Sequence, residues 1–182
     1  MRMIKYYSIL LLLIFNFCIP STIIDNTELR INSFFPDLLS LEWSLYSIEK
    51  KSLKSIQNTV KQKFFRNEVN TWIITDTDTS KYYAILDNVK GKSLPITFLA
   101  IFNEKGEIYN TSIIKYREAY GGEVGNKSWL NQFISFNDTS NYKVGNDISA
   151  ISGATISVHS VSKGIRKLSI LIKDIIKDYN ER

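Results

Sequence analysis

Residues 158–179 read VHSVSKGIRKLSILIKDIIKDY. Val158, Val161, Ile165, Leu168, Ile172, Ile175 and Tyr179 recur at alternating steps of three and four, which gathers them into one stripe of an amphipathic helix of about 20 residues. Such a stripe must dock on a core, and the chain before it supplies a sheet. Thr71–Thr75 (TWIIT), Lys81–Leu86 (KYYAIL) and Ile96–Phe102 (ITFLAIF) are short, rich in β-branched and aromatic residues, and separated by turn formers. Asn103–Gly106 (NEKG) is a hairpin connection with Gly106 where a left-handed residue is needed, and Glu107–Tyr116 returns as the partner strand. The expected fold is α+β: an antiparallel sheet flanked by helices, with a long C-terminal amphipathic helix.

Further out, Asp25–Phe35 starts with capping residues and stops at Pro36, as a short helix does. Leu38–Phe65 is expected to be mostly helical, because Leu41, Leu45, Ile48, Ile56, Val60 and Phe64 recur at three- and four-residue steps among lysines. This defines an N-terminal helical region over 22–68, ahead of the main domain over 69–182. Between the strands and the last helix lie a loop, Gly121–Gly125 (GGEVG), and a short helix, Lys127–Phe133, with Trp129 and Phe133 four apart on one face.

The front of the chain, residues 1–21, reads as a signal peptide or signal anchor. Arg2 and Lys5 precede the apolar run Ser8–Phe17, which Cys18, Pro20 and Ser21 end. Ten to twelve apolar residues suit an export signal better than a span of about 20. The expectation is an exported protein, in the periplasm or on the outer face of the cytoplasmic membrane. Cleavage, retention as an anchor and lipidation of Cys18 all stay open.

Composition works by subtraction. The 182 residues include one His and one Cys, and that Cys lies in the leader. A protein-ligated metal site, a Cys-His nucleophile or an iron–sulfur cluster has almost nothing to be built from. A Ser-His-Asp triad would rest on His159, and no Gly-x-Ser-x-Gly elbow accompanies it. Without the first 20 residues the balance is 21 basic against 18 acidic residues, too mild and too scattered for a nucleic-acid surface. The lysines around 50–66 and 163–177 read as solvated helix faces. Any chemistry here belongs to a cofactor or a partner.

Ile151–Ser157 (ISGATIS) is the stretch able to hold one. Four small residues let the backbone turn sharply and be approached closely, and they feed a helix N-terminus, where unpaired N–H groups favour an anion such as a phosphate. On this physics alone the plainer reading is an N-cap. The phosphate-loop and GxGxxG spacings are absent.

SGAT at the entrance of a C-terminal helix resembles the flavinylation site of the FMN-binding domain family, which includes the flavin-carrying subunits of the sodium-pumping NADH:quinone oxidoreductase and the Rnf complex, and short exported single-domain proteins. Gly91–Phe102, the block Ile114–Val124 (IKYREAYGGEV), Trp129–Phe133 and Lys143–Asp147 (KVGND) follow in the order of the short members. The resemblance spans roughly residues 70–178. It implies that Thr155 carries FMN through a phosphoester installed by a flavin transferase, with Ser152, Gly153 and Ala154 as backbone contacts to the phosphate. It also implies that Gly121, Gly122, Glu123 and Trp129 lie near the isoalloxazine ring. The role implied is an electron carrier between membrane or periplasmic redox proteins, not an enzyme with its own catalytic residues. One departure stands out: the transferase's pattern has Asp six residues before the threonine, and this chain has Ser149 there. The alternatives are a module that holds FMN non-covalently, or a flavin-free accessory of a membrane redox complex. The expected site is a shallow cleft formed by residues 116–129 and 151–157, with Thr155 exposed.

Overall fold

The computed structural model describes residues 22–181; the leader lies outside the described residues. The chain runs α1 (Ile23–Phe34), β1 (Ser40–Ser47), α2 (Lys50–Val60), β2 (Glu68–Thr75), β3 (Lys81–Lys90), β4 (Pro95–Asn103), β5 (Ile108–Lys115), a 3₁₀ turn over Gly122–Gly125, α3 (Lys127–Leu130) and α4 (Thr155–Asn180). The five strands form one antiparallel meander in sequence order, with Ile73 facing Tyr83, Ile85 facing Ala100 and Leu99 facing Ser112. The α+β architecture stands as expected.

The stretch 38–65 does not. It divides into strand β1 and helix α2, where a mostly helical segment was expected. Leu41, Trp43 and Leu45 share one face of β1, opposite Ile74, Trp72 and Asn70. A step of four fits a helix and a strand alike, so Leu41 and Leu45 carry no decision. The eight-residue pairing with β2 decides it.

Both faces of the sheet are covered, and β4 is accordingly buried from Ile96 to Phe102. On one face α4 and α2 close the larger core, where Val158, Val161, Ile165, Leu168, Ile172 and Ile175 meet Ile85, Val89, Phe98 and Phe102. Gly164 lets α4 approach closely, since a Cβ there would lie 2.5 Å from Val89. On the other face α1 caps a smaller core of Ile31, Trp72, Ile74, Leu99 and Ile101. Thr22 and Asp25 form a capping box at its start. Gly106 takes φ +76° in the β4–β5 hairpin, and its N–H donates to the Asn103 carbonyl.

One charge is sunk into this frame. Lys167, fully buried on α4, lies 2.7 Å from the Asp87 carboxylate of β3, donates to the Lys63 carbonyl and sits over the Phe64 ring. Among the described residues no helix is long and apolar enough to cross a membrane.

Candidate functional site

An antiparallel meander returns its chain to the same two ends repeatedly. At one end meet the β3–β4 turn (Gly91–Leu94), the segment leaving β5 (Tyr116–Glu123) and the first turn of α4. Two adjoining clefts open there, of about 510 and 350 Å³, within the range of small-molecule sites. Lys92, Ser93 and Thr155–Ser157 line the larger one, and Tyr116, Gly121–Glu123 and Ser152 line the smaller. Glu118–Tyr120 and Gly153 border both.

The ISGATIS stretch makes the floor. Ala154 N–H donates to the Ile151 carbonyl at 3.1 Å, closing a turn in which Gly153 holds φ +77°. A positive φ at that position is what glycine tolerates. Nothing lies within 4 Å of the place a Gly153 Cβ would occupy, so this backbone is open to a ligand. Helix α4 then starts without a side-chain cap, because the N-cap position is held by Ala154. The plain reading of Ser or Thr as the cap is therefore set aside. The first helical hydrogen bond runs from Val158 N–H to the Ala154 carbonyl. The amides of Thr155, Ile156 and Ser157 precede it, at the positive end of a 26-residue helix. Thr155 is exposed beside them. An anionic group meets unpaired donors and a hydroxyl together here.

Tyr116 locks the opposite wall to this floor. Its hydroxyl donates to the Tyr120 carbonyl and is 2.9 Å from the Ser157 hydroxyl. Gly121 fits beneath it with φ +84°; a Cβ there would stand 2.9 Å from the Tyr116 hydroxyl and 3.3 Å from the Ala154 side chain. Glu118 braces the third wall. Its carboxylate accepts the Ser93 and Leu94 amides at 2.6 and 2.9 Å. Those bonds, from Leu94 first and then Ser93, hold its carboxyl below the usual range.

Of the residues named from sequence, Ser152, Gly153, Ala154, Thr155, Gly121, Gly122 and Glu123 all gather around these clefts. Trp129 does not. It is only 5% exposed, packs edge-on against Phe133, and donates its indole N–H to the Ser149 carbonyl at 2.8 Å. It belongs to the core, holding the segment that leads into the site. Ser149 has its amide bound to Gln132 and its side chain exposed. Lys92 lies outside the two segments expected to form the cleft; Tyr116, Glu118, Tyr120 and Ser157 lie within them but had no individual role assigned. Tyr116, Glu118 and Tyr120 lie inside the block KYREAYGGEV, but only the fold turns them toward SGAT.

Fold and cleft define an α+β binding domain that offers an anionic cofactor a helix N-terminus and an exposed hydroxyl. Residues 91–169 match the family model described as an FMN-binding domain, a match that supports FMN as the cofactor. The match opens at the β3–β4 turn and closes within α4, enclosing every segment of the cleft. No curated protein matches the chain.

Proposed function

We propose that the domain holds FMN through a phosphoester on Thr155 and works as an extracytoplasmic electron carrier. The observation that carries this is the uncapped start of α4, with the Thr155 hydroxyl exposed beside three unpaired amides. A flavin transferase supplies a flavin dinucleotide; the Thr155 hydroxyl gives its proton to a base of the transferase, its oxygen gains the bond to the FMN phosphorus, and the donor's pyrophosphate bond breaks so that the other nucleoside monophosphate leaves. The amides of Thr155–Ser157 and the Lys92 ammonium offset the phosphate charge. Gly153 gives the phosphate room, and the Tyr116–Ser157 contact fixes the distance between the two cleft walls. Bound FMN supplies the capacity to accept and release electrons. The match to an FMN-binding domain is compatible with a carrier between redox partners in the membrane or periplasm. The leader supports the extracytoplasmic setting.

A second reading follows from Ser149. With no carboxylate six residues before Thr155, the transferase lacks one contact, and FMN is then held non-covalently by the same amides. Ser149 is exposed, so Ser149→Asp is tolerated by the fold. Loading of the parent, Ser149→Asp and Thr155→Ala, compared by in-gel flavin fluorescence after co-expression with a transferase, separates the two. Covalent attachment predicts a fluorescent parent band and none for Thr155→Ala. A dark parent band that Ser149→Asp restores supports the second reading, and a fluorescent Thr155→Ala band contradicts attachment at Thr155.

A further inference from the structure

The end of the sheet that carries the cleft is also where the chain enters the fold. Ile23, at the start of α1, lies with Phe65, Arg66, Asn70, Leu86, Pro95 and Arg117 at the β3–β4 turn end. α1 runs from there to the far end, where Phe35 stacks on Tyr109. The leader's apolar run Ser8–Phe17 therefore stops five residues before Thr22 at the cleft end, a reach of at most about 18 Å. The surface around that entry is built of two kinds of residue. Phe65, 55% exposed, borders an apolar hollow with Phe64, whose rim carries Lys63 and Lys90. Tyr120, Ile156, Leu94 and Leu45 add exposed apolar area at the same end. Lys61, Lys63, Arg66, Lys90 and Lys92 are exposed there. Among the acids nearby, Glu68 faces Arg66 at 3.9 Å, Glu118 is occupied by the turn amides, and Glu123 of the cleft wall is exposed against the five basic residues.

We propose that this end docks on an anionic lipid bilayer, with Phe65 seated at the interface, Lys63, Arg66 and Lys90 against the headgroups, and the flavin cleft facing the membrane. Aromatic side chains suit the water–hydrocarbon boundary, and basic residues close to an anionic leaflet add to a single apolar anchor that binds marginally by itself. The length of chain outside the described residues argues the occupant: the apolar run ends within five residues of Thr22, which enters the fold at this end, so its retention as an anchor brings the bilayer there. The proposal goes beyond the carrier role and rests on the leader's staying attached, which the intact mass of the bound chain reads separately.

The test uses the full chain, without flavin, reconstituted into phosphatidylcholine vesicles with or without phosphatidylglycerol. Tryptophan is introduced as Phe65→Trp at the proposed contact, or as Leu39→Trp at the opposite end, and each is read as the increment over the parent's own fluorescence. With brominated acyl chains, the Phe65→Trp increment should be quenched severalfold more than the Leu39→Trp increment. Phosphatidylglycerol should strengthen the effect, and the pair Lys63→Glu and Arg66→Glu should weaken it. Equal quenching at both ends, failure of the leader-bearing chain to float with the vesicles, or indifference to both lipid charge and charge reversal would each overturn the proposal.

Discussion

At the scale of single residues, the site rests on a few atoms with little tolerance. Gly121 combines a left-handed backbone with contact distances that leave no room for a Cβ. Gly121→Ala is expected to cost about 1–3 kcal/mol in denaturant unfolding and to lower flavin loading, because the Tyr116–Ser157 contact must give way. Unchanged stability would mean that this wall is looser than its geometry. Glu118 makes a prediction about pH. Its carboxyl is depressed in the folded chain, so the bracing of the Ser93 and Leu94 amides is complete above the ordinary glutamate value of about 4.3 and is lost as pH falls through the lower folded value. Amide shifts of Ser93 and Leu94 should titrate below that ordinary value, and titration at or above it contradicts the bracing role. Legibility was uneven at this scale. Thr155 and its small neighbours were readable through the family resemblance of SGAT, since the run by itself reads more plainly as an N-cap. Trp129 was misplaced because a tryptophan in a short helix looks the same whether it stacks on a ligand or fills a core. Glu118 fell within the expected cleft segment, but its bracing role was not legible, because its partners are main-chain amides 24 and 25 residues away, which no side-chain pattern announces.

At the scale of elements, periodicity worked where one period had a single reading. Helix α4 places its whole stripe in the core apart from a half-buried Tyr179, and the hairpin at Gly106 turns where glycine requires it. β1 was hidden because Leu41 and Leu45 fit either period, and only pairing to β2 settles the matter. The buried ion pair is the element-scale feature that no stripe shows: Lys167 stands in α4 as one more lysine, yet it reaches Asp87 across the helix–sheet interface. Removing one partner leaves a charge without compensation. Lys167→Ala is expected to lose about 3–5 kcal/mol in chemical denaturation, whereas Lys167→Met with Asp87→Leu should recover most of that loss. A single variant as stable as the parent would show that the pair does not hold α4 to the sheet.

At the scale of the whole molecule, function comes from where a meander leaves its ends. Residues 91–94, 116–123 and 152–157 are far apart in sequence, and the antiparallel order of β3, β4 and β5 brings them to one rim. The frame beneath that rim is packed on both faces, while the rim itself is open backbone, small side chains and an exposed hydroxyl. The carrier role proposed above would use this division, with a rigid body to fix the flavin and an accessible edge for redox partners. The central claim is attachment at Thr155, and intact mass tests it most directly. The chain is co-expressed with a flavin transferase, purified under denaturing conditions and weighed beside Thr155→Ala. The account predicts that the parent gains the mass of one FMN less one water, and that Thr155→Ala, equally well folded, gains none. A parent chain at its bare polypeptide mass, or a Thr155→Ala chain that still carries the flavin, would contradict it.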